Sequence, residues 1–192
     1  MKIAFIGTHG VGKTTLCFEL AACLKRLDVS VDVVKEVARH CPLPINRDTT
    51  SGAQEWILHT QIAWELQAEA KAEVVVCDRA VLDNYCYLRR AAPGEPHVKV
   101  LEGLVRAWLP TYDVLFRVPI VGDPSFDGVR DTDLAFQHDI DALLLATLEE
   151  WEVPFVTFDP AAREGWAKRA IDALLPTLRP QELLFPDSVG GR

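Results

Sequence analysis

The stretch that most constrains the fold of this chain lies at its beginning. Residues 2–6 form a short apolar run, and residues 7–14 then read Gly-Thr-His-Gly-Val-Gly-Lys-Thr. In this G-x-x-x-x-G-K-T pattern, glycines allow the backbone to bring several N–H groups close to a polyphosphate. Residues 12–27 follow with apolar side chains at helical spacing. A strand, this loop and a helix in succession predict a phosphate-binding loop.

The residue types within the loop match the chemistry of a nucleotide and its metal ion. Lys13 supplies a flexible positive charge for the outer phosphates, and the Thr14 hydroxyl is placed to bind Mg²⁺. His9 occupies a position of the loop that tolerates most side chains, so we interpret its imidazole as a spectator and not as a catalyst. ATP or GTP is the expected nucleotide. Its predicted binding residues in the loop are Gly7, Thr8, His9, Gly10, Val11, Gly12, Lys13, Thr14 and Thr15.

Apolar runs alternate with amphipathic segments along the rest of the chain. Further strands are predicted at 31–34, 74–77, 114–118 and 154–158, and further helices at 52–72, 80–90, 97–109, 133–151 and 161–175. This alternation predicts an α/β protein whose five-stranded parallel sheet carries helices on both faces. We expect a single domain over residues 1–178 and a loosely attached tail over residues 179–192.

Composition and charge argue against several other classes of protein. The net charge of −8 disfavours an extended nucleic-acid partner, although it allows a small anionic ligand held by local cations. No apolar run is long enough to cross a membrane or to serve as a signal region, so we expect a cytoplasmic protein. The five cysteines include no C-x-x-C pair, which favours reduced, packed thiols over a metal site. The oligomeric state stays open.

Polar residues follow the predicted strands at their carboxyl ends, where parallel sheets bind ligands. Glu36 and Arg39 follow the second strand, Asp78 and Arg79 follow the third, and Asp159 follows the fifth. All of them are therefore expected at the edge that carries the phosphate loop. We predict that Asp159 contacts the nucleotide, and that Glu36, Arg39 and Arg79 contact an acceptor substrate.

Two readings are open for each residue of the Asp78-Arg79 pair. A carboxylate at the end of a buried strand is costly unless it is paired or near a metal, so Asp78 is the second candidate Mg²⁺ ligand. Asp78 is also placed to cap the helix that is predicted to begin at Ala80. Arg79 is expected to meet an anion such as a phosphate, or else to form an ion pair with Asp78 or Asp83.

Glu36 and Arg130 are the remaining catalytic candidates. Glu36 is a candidate general base for a substrate hydroxyl, and the alternative is a surface carboxylate paired with Arg39 or Lys35. Arg130 is a single arginine among four aspartates in residues 123–133. Such a segment fits a lid that closes over the transferred phosphoryl group, or else a plain exposed connection.

Four segments resemble a group of small P-loop proteins: residues 7–14, 35–39, 76–84 and 127–131. The group includes the kinase domain of bacterial ribosylnicotinamide kinases and uncharacterised AAA-type ATPases, and it is related to thymidylate and deoxynucleoside kinases. The resemblance covers about residues 1–160 and implies a sheet whose third strand lies between the first and the second.

The same resemblance implies roles for the residues that match the motifs. Glu36 matches a carboxylate that acts near the acceptor hydroxyl. Asp78 and Arg79 match a pair that contacts phosphate or metal, and Arg130 is the nearest match to a lid arginine that stabilises the transferred phosphoryl.

The sequence therefore predicts an Mg²⁺-dependent kinase that transfers the γ-phosphoryl of its nucleotide to a nucleoside, a nucleotide or a nucleoside-like acceptor. Two alternatives are a P-loop NTPase that works as a switch with water as acceptor, and a regulatory module that binds nucleotide with negligible turnover. A deep pocket walled by Glu36, Arg79 and the helix at 52–72 is the feature that favours the kinase.

Overall fold

Strands and helices alternate along the described part of the chain, which comprises residues 1–45, 49–122 and 134–178 of a computed structural model. The strands are β1 (Lys2–Ile6), β2 (Val31–Val34), β3 (Val74–Asp78), β4 (Val114–Arg117) and β5 (Val156–Thr157). The helices are α1 (Lys13–Arg26), α2 (Ser51–Glu69), α3 (Val81–Ala91), α4 (Pro96–Trp108), α5 (Leu134–Glu150) and α6 (Trp166–Leu178). Short 3₁₀ turns cover Val37–His40, Leu109–Thr111 and Pro160–Gly165.

The five strands form one parallel sheet in the order β2-β3-β1-β4-β5. The third strand thus lies between the first and the second, as predicted. In β1, Phe5 is paired with Asp78 of β3, and Ile6 is paired with Arg117 of β4. This register brings the loop that begins at Gly7 to the same edge as the ends of β3 and β4.

Side-chain alternation along the strands builds a core on each face of the sheet. Ile3 and Phe5 of β1 pack with residues of α1 and α6, whereas Ala4 and Ile6 pack with residues of α2, α3, α4 and α5. On the first face the ring of Phe116 stacks on Phe5 at 5.5 Å and on Phe158 at 5.4 Å between ring centroids. These two cores confirm the predicted helices on both faces.

The predicted elements differ from the observed ones mainly at the end of the chain. β5 has two residues, not the five predicted at 154–158, because Pro154 has no N–H for the ladder and β5 pairs only with β4. The last helix begins at Trp166, not at residue 161. A 3₁₀ turn precedes it, closed by the Trp166 indole, which donates to the Asp159 carbonyl at 2.7 Å.

Other predictions agree with the described residues. The Thr50 hydroxyl accepts a hydrogen bond from the Ala53 amide and so caps α2, as the sequence suggested. All five cysteines are free thiols. None of the helices in the described ranges combines the length and the apolar character that a membrane crossing requires. The predicted lid at 123–133 and the predicted tail at 179–192 lie outside the described residues.

Candidate functional site

The phosphate loop joins β1 to α1 through a backbone with positive φ at its three glycines. The φ angles are +144° at Gly7, +79° at Gly10 and +98° at Gly12. A Cβ atom at Gly7 would lie 2.7 Å from the Val118 carbonyl oxygen, closer than any real contact. The loop can therefore pass next to β4 only because residue 7 has no side chain. It ends at the N-terminus of α1, whose dipole favours an anion.

The Lys13 ammonium group is buried inside this loop, with 5% of the side chain exposed. It donates a hydrogen bond to the Thr8 carbonyl at 2.5 Å. Burial, together with the nearby charge of Arg79, lowers the pKa of Lys13 to about 8. The negative charges of Asp78, Asp83 and Glu36 do not offset burial and Arg79, and the phosphates of a nucleotide would add negative charge beside the ammonium.

Thr14 and Asp78 meet as a pair at the end of the loop. The Thr14 hydroxyl donates to Asp78 Oδ2 at 2.5 Å, and Asp78 is 2% exposed. Its other oxygen, Oδ1, has no hydrogen-bond partner among residues 1–45, 49–122 and 134–178. Burial raises the pKa of Asp78, against the opposing effect of Lys13. An orphaned carboxylate oxygen beside a hydroxyl fits Mg²⁺, which prefers hard oxygen ligands and retains several waters.

Asp83 holds the loop in place, a role that the sequence reasoning did not assign to it. Its Oδ1 accepts from the Gly7 amide and its Oδ2 accepts from the Ala80 amide, each at 2.9 Å. It therefore caps α3 and fixes the start of the phosphate loop at once. The alternative of Asp78 as the cap of this helix is wrong. The signal was an acidic residue three positions after Ala80, the observed N-cap of α3.

Arg79 and Glu36 form the central ion pair of the site. Arg79 Nε and Nη2 donate to Glu36 Oε1 at 3.1 and 2.9 Å, and Arg39 Nε donates to Glu36 Oε2 at 2.8 Å. The sequence had offered Asp78 or Asp83 as the ion-pair partner of Arg79, and the structure shows Glu36 instead.

The charges around Glu36 set its protonation. Burial by itself would raise the pKa of Glu36, but the charges of Arg79 and Lys13 and the hydrogen bonds from Arg79 and Arg39 lower it to about 2. The carboxylate is therefore ionised at any physiological pH. In this pairing it is a hydrogen-bond acceptor and a weak base.

Arg79 also has an unusual backbone, with φ of +89°. Such a conformation costs a residue with a side chain about 1–3 kcal/mol and persists only where the surroundings fix it. The guanidinium carbon lies 5.0 Å from the centre of the Tyr87 ring, a distance at which the cation and the ring attract each other. The side chain is thus held between Glu36 and Tyr87.

A pocket opens beside the phosphate loop, between the Val37–His40 turn, α2 and α3. Its enclosed volume is about 50 Å³, smaller than a typical small-molecule site, and the pocket opens to solvent. Two buried donors of its lining, Arg79 Nη1 and Asn84 Nδ2, have no hydrogen-bond partner within the described ranges. The lining residues are His9, Glu36, Ala38, Arg39, Ile45, Gln54, Ile57, Arg79, Asn84 and Tyr87.

His9 joins the loop to two helices, and its role as a spectator in catalysis stays a prediction. Its ring is 7% exposed, and Nδ1 lies 3.2 Å from the Tyr87 hydroxyl of α3. The ring stacks on Phe136 of α5 at 5.5 Å between centroids, and the Gln137 amide donates to the His9 carbonyl at 2.8 Å. The sequence gives no signal for these contacts, because they join His9 to residues far away in the chain.

Two predicted residues contribute less to this geometry. Asp159 is exposed, and its Oδ1 accepts from the Ala161 amide at 2.9 Å, so its observed contact is local. Arg163 lies in the same turn, and its Nη2 is 3.7 Å from the position that a Cβ atom would occupy at Gly12. The nucleotide contact of Asp159 stays a prediction. Arg130 lies outside the described residues.

A phosphate loop between the first strand and the first helix of a five-stranded parallel sheet defines a P-loop nucleotide-binding protein. The protein-family model described as AAA domain matches residues 2–169, and the chain belongs to that family.

One solved structure gives a specific comparison of the fold. Deoxyadenosine kinase from M. mycoides, solved with the products dCMP and a flexible dCDP bound, matches this chain with a TM-score of 0.60. The sequences are 17% identical, and the match covers 94% of this chain and 100% of that chain. At that identity the likeness is one of fold. None of the curated proteins shows a significant sequence match.

Proposed function

We propose that this protein is an Mg²⁺-dependent kinase that transfers the γ-phosphoryl group of ATP or GTP to a hydroxyl of a nucleoside-like acceptor. The observation that carries the proposal is the pocket beside the phosphate loop, walled by Glu36, Arg79 and residues of α2. An NTPase that uses water needs no second pocket with buried donors such as Arg79 Nη1 and Asn84 Nδ2 in its lining. The kinase fold of the matched structure supports the same class of reaction.

The donor half of the reaction belongs to the phosphate loop. Lys13 would bind the outer phosphates, whose negative charge would offset the burial that lowers its pKa. Thr14 and Asp78 would hold Mg²⁺, which when bound neutralises charge on the phosphates. Asp83 keeps the first amide of the loop in place through the Gly7 hydrogen bond.

The acceptor half belongs to Glu36 and Arg79. Transfer through a loose transition state requires an oriented hydroxyl more than a strong base. With a pKa of about 2, Glu36 accepts a hydrogen bond from the hydroxyl and aligns it with the γ-phosphorus. The proton passes to Glu36 as the new P–O bond forms, and an acceptor that separates Glu36 from Arg79 makes this carboxylate a stronger base.

The pocket lining favours a particular kind of acceptor. Ile45 and Ile57 offer apolar contact to a ring, and Arg79 and Asn84 offer unpaired N–H donors to hydroxyl or carbonyl oxygens. An apolar ring that carries oxygen acceptors describes a nucleoside or a close analogue. Arg39, which donates to Glu36 Oε2, adds a second positive charge beside this carboxylate.

A nucleotide-driven switch is the second candidate, and one observation favours it. His9 of the phosphate loop contacts Phe136 and Gln137 at the beginning of α5, so a change in the loop would reach that helix directly. In this case ATP hydrolysis would proceed without any small-molecule acceptor.

The test is acceptor-dependent ADP release over a panel of nucleosides and nucleotides, with wild type and Glu36→Gln. General-base and orienting help of this kind is worth about 10²–10⁴-fold, so turnover should fall by that order while ATP affinity stays constant. Glu102→Gln is the matched control, because Glu102 also pairs with an arginine, Arg106 at 2.9 Å, but lies on α4. ADP release that no acceptor stimulates, and that Glu36→Gln leaves unchanged, would favour the switch.

A further inference from the structure

A buried polar chain lies beneath the site, between α2 and the sheet. We define it as the Glu65 network: Lys2, Gln61, Glu65, Trp108 and Tyr112. Glu65 is fully buried, and its Oε1 accepts from Gln61 Nε2 at 2.8 Å and from the Tyr112 hydroxyl at 2.6 Å. Its Oε2 accepts from Trp108 Nε1 at 2.7 Å and lies 3.1 Å from Lys2 Nζ. Both oxygens of the carboxylate are therefore fully engaged.

Two arms of the Glu65 network reach the segment that carries Asp78 and Arg79. Gln61 Nε2 donates to the Arg79 carbonyl at 3.2 Å as well as to Glu65. The Tyr112 hydroxyl accepts from the Val81 amide at 3.0 Å. Arg79 follows the end of β3 and Val81 begins α3, so the arms hold this connection on both sides of Ala80.

The backbone of Arg79 needs such support. Its φ of +89° is unfavourable for a residue with a Cβ, and it persists only where contacts fix both neighbouring peptides. The Arg79 amide donates to the Phe5 carbonyl at 3.1 Å, and the Arg79 carbonyl accepts from Gln61. Because the Arg79 amide is bonded to Phe5, a change of φ at Arg79 would move both its carbonyl and its Cβ, and so turn the guanidinium away from Glu36.

Stability alone does not account for this arrangement. A buried ion pair such as Lys2–Glu65 is often no more stabilising than apolar side chains of the same volume, because both charges are removed from water. A polar chain adds what an apolar core lacks, which is fixed hydrogen-bond directions. In the Glu65 network, Gln61 is bonded to the Arg79 carbonyl and Tyr112 is bonded to the Val81 amide, so both of these peptides are held in fixed directions.

We propose that Gln61 and Glu65 are positioning residues that set the orientation of Arg79 toward Glu36 and the acceptor pocket. The assignment of Arg79 to an acceptor site rests on the proposed function. The geometry between Gln61, Glu65 and Arg79 does not depend on it. Trp108 and Tyr112 through hydrogen bonds, and Lys2 through an ion pair, hold the Glu65 carboxylate in place, so that it keeps Gln61 in one orientation.

Gln61→Met is the variant that tests this proposal with the least disturbance. It keeps the length of the side chain, removes the bond to the Arg79 carbonyl, and leaves Glu65 with Tyr112, Trp108 and Lys2. Thr147→Val is the matched control, because Thr147 is also fully buried and polar but donates to Leu143 within α5. Glu65→Leu is unsuitable as a first variant, since it would remove the buried one of the two carboxylates that pair with Lys2 and leave only Glu69 at 3.3 Å.

The first measurement needs no substrate. The Nε–Hε signal of Arg79 in a nitrogen–proton NMR spectrum, assigned by its loss in Arg79→Lys, reports the bond to Glu36. We expect Gln61→Met to shift this signal and to raise its exchange rate with water about tenfold or more through local opening. Thr147→Val should leave both unchanged at a similar melting temperature. If Gln61→Met does not fold, Tyr112→Phe provides the same test through the Val81 arm.

The second measurement is kinetic and uses the best acceptor found in the nucleoside panel. Misplacement of a catalytic group by about 1 Å can lower turnover about 10²-fold, so kcat should fall in Gln61→Met while ATP affinity stays constant. An Arg79 signal that is identical in wild type and Gln61→Met, or that Thr147→Val alters equally, would overturn the proposal. If wild type phosphorylates no acceptor, the kinase proposal fails, and the Arg79 signal still decides the role of Gln61.

Discussion

The proton on Lys13 should make nucleotide affinity depend on pH in an unusual range. Burial, and then the charge of Arg79, lowers the pKa of Lys13 to about 8 in the unliganded protein. A bound polyphosphate adds negative charge within reach of the ammonium, which raises that pKa again. Above pH 8 the nucleotide therefore binds with uptake of a proton, and its affinity must fall as the pH rises.

The size of the effect follows from the pKa. Affinity falls by the factor 1 + 10^(pH − pKa) for as long as the pH stays below the pKa of the complex. With a pKa of about 8 this factor is about 1.1 at pH 7 and about 11 at pH 9. Binding should thus weaken about tenfold between these values, or about 1.4 kcal/mol.

The assay is isothermal titration calorimetry of Mg²⁺-ADP at pH 7, 8 and 9, in buffers that differ in ionisation enthalpy. The buffer dependence gives the number of protons taken up, which should approach one per site at pH 9. Arg79→Met removes the positive charge that, after burial, lowers the pKa of Lys13. The affinity of this variant for Mg²⁺-ADP should therefore begin to fall at a higher pH than in wild type. Equal affinity at pH 7 and 9 without proton uptake would refute the reasoning.

Three further predictions concern the loop, the metal pair and the ion pair. Gly7→Ala places a Cβ 2.7 Å from the Val118 carbonyl oxygen and should lower the free energy of unfolding by about 2 kcal/mol, which is about 4–8 °C in melting temperature. Gly103→Ala is the control, because a Cβ at this position of α4 meets no atom within 4 Å and should stabilise the protein slightly. Asp78→Asn should remove the Mg²⁺ dependence of ADP affinity in calorimetry without lowering the melting temperature, because burial already disfavours this carboxylate. Arg79→Met should raise the pKa of Glu36 from about 2 toward or above its ordinary 4.5, as a ¹³C NMR titration of its carboxyl can show.

The sequence was sufficient to predict which residues lie at the edge of the sheet that carries the site, because parallel strands bring their carboxyl ends to the same edge. The loop at residues 7–14 and the positions of Glu36 and Asp78 at strand ends follow from short motifs and their order, and the place of β3 between β1 and β2 was implied by the family resemblance. Asp113, which directly precedes β4, lies at the opposite edge of the sheet, where it accepts from the Lys2 amide.

The contacts that complete the site could not be predicted because they join residues far apart in the chain. Glu36 and Arg79 are 43 positions apart, and Gly7 and Asp83 are 76 positions apart. No periodicity or local motif selects Glu36 over Asp83 as the partner of Arg79. The sequence also gives no sign of the Glu65 network, since a glutamate in a long helix is normally exposed to solvent.

The central claim is that the phosphoryl group goes to a small molecule and not to water. The direct measurement is the amount of phosphorylated acceptor and of inorganic phosphate formed for each ADP, with the acceptor product identified by mass spectrometry. A kinase with the acceptor pocket described above forms one phosphorylated acceptor per ADP and almost no inorganic phosphate. One inorganic phosphate per ADP with every acceptor of the panel would contradict the account.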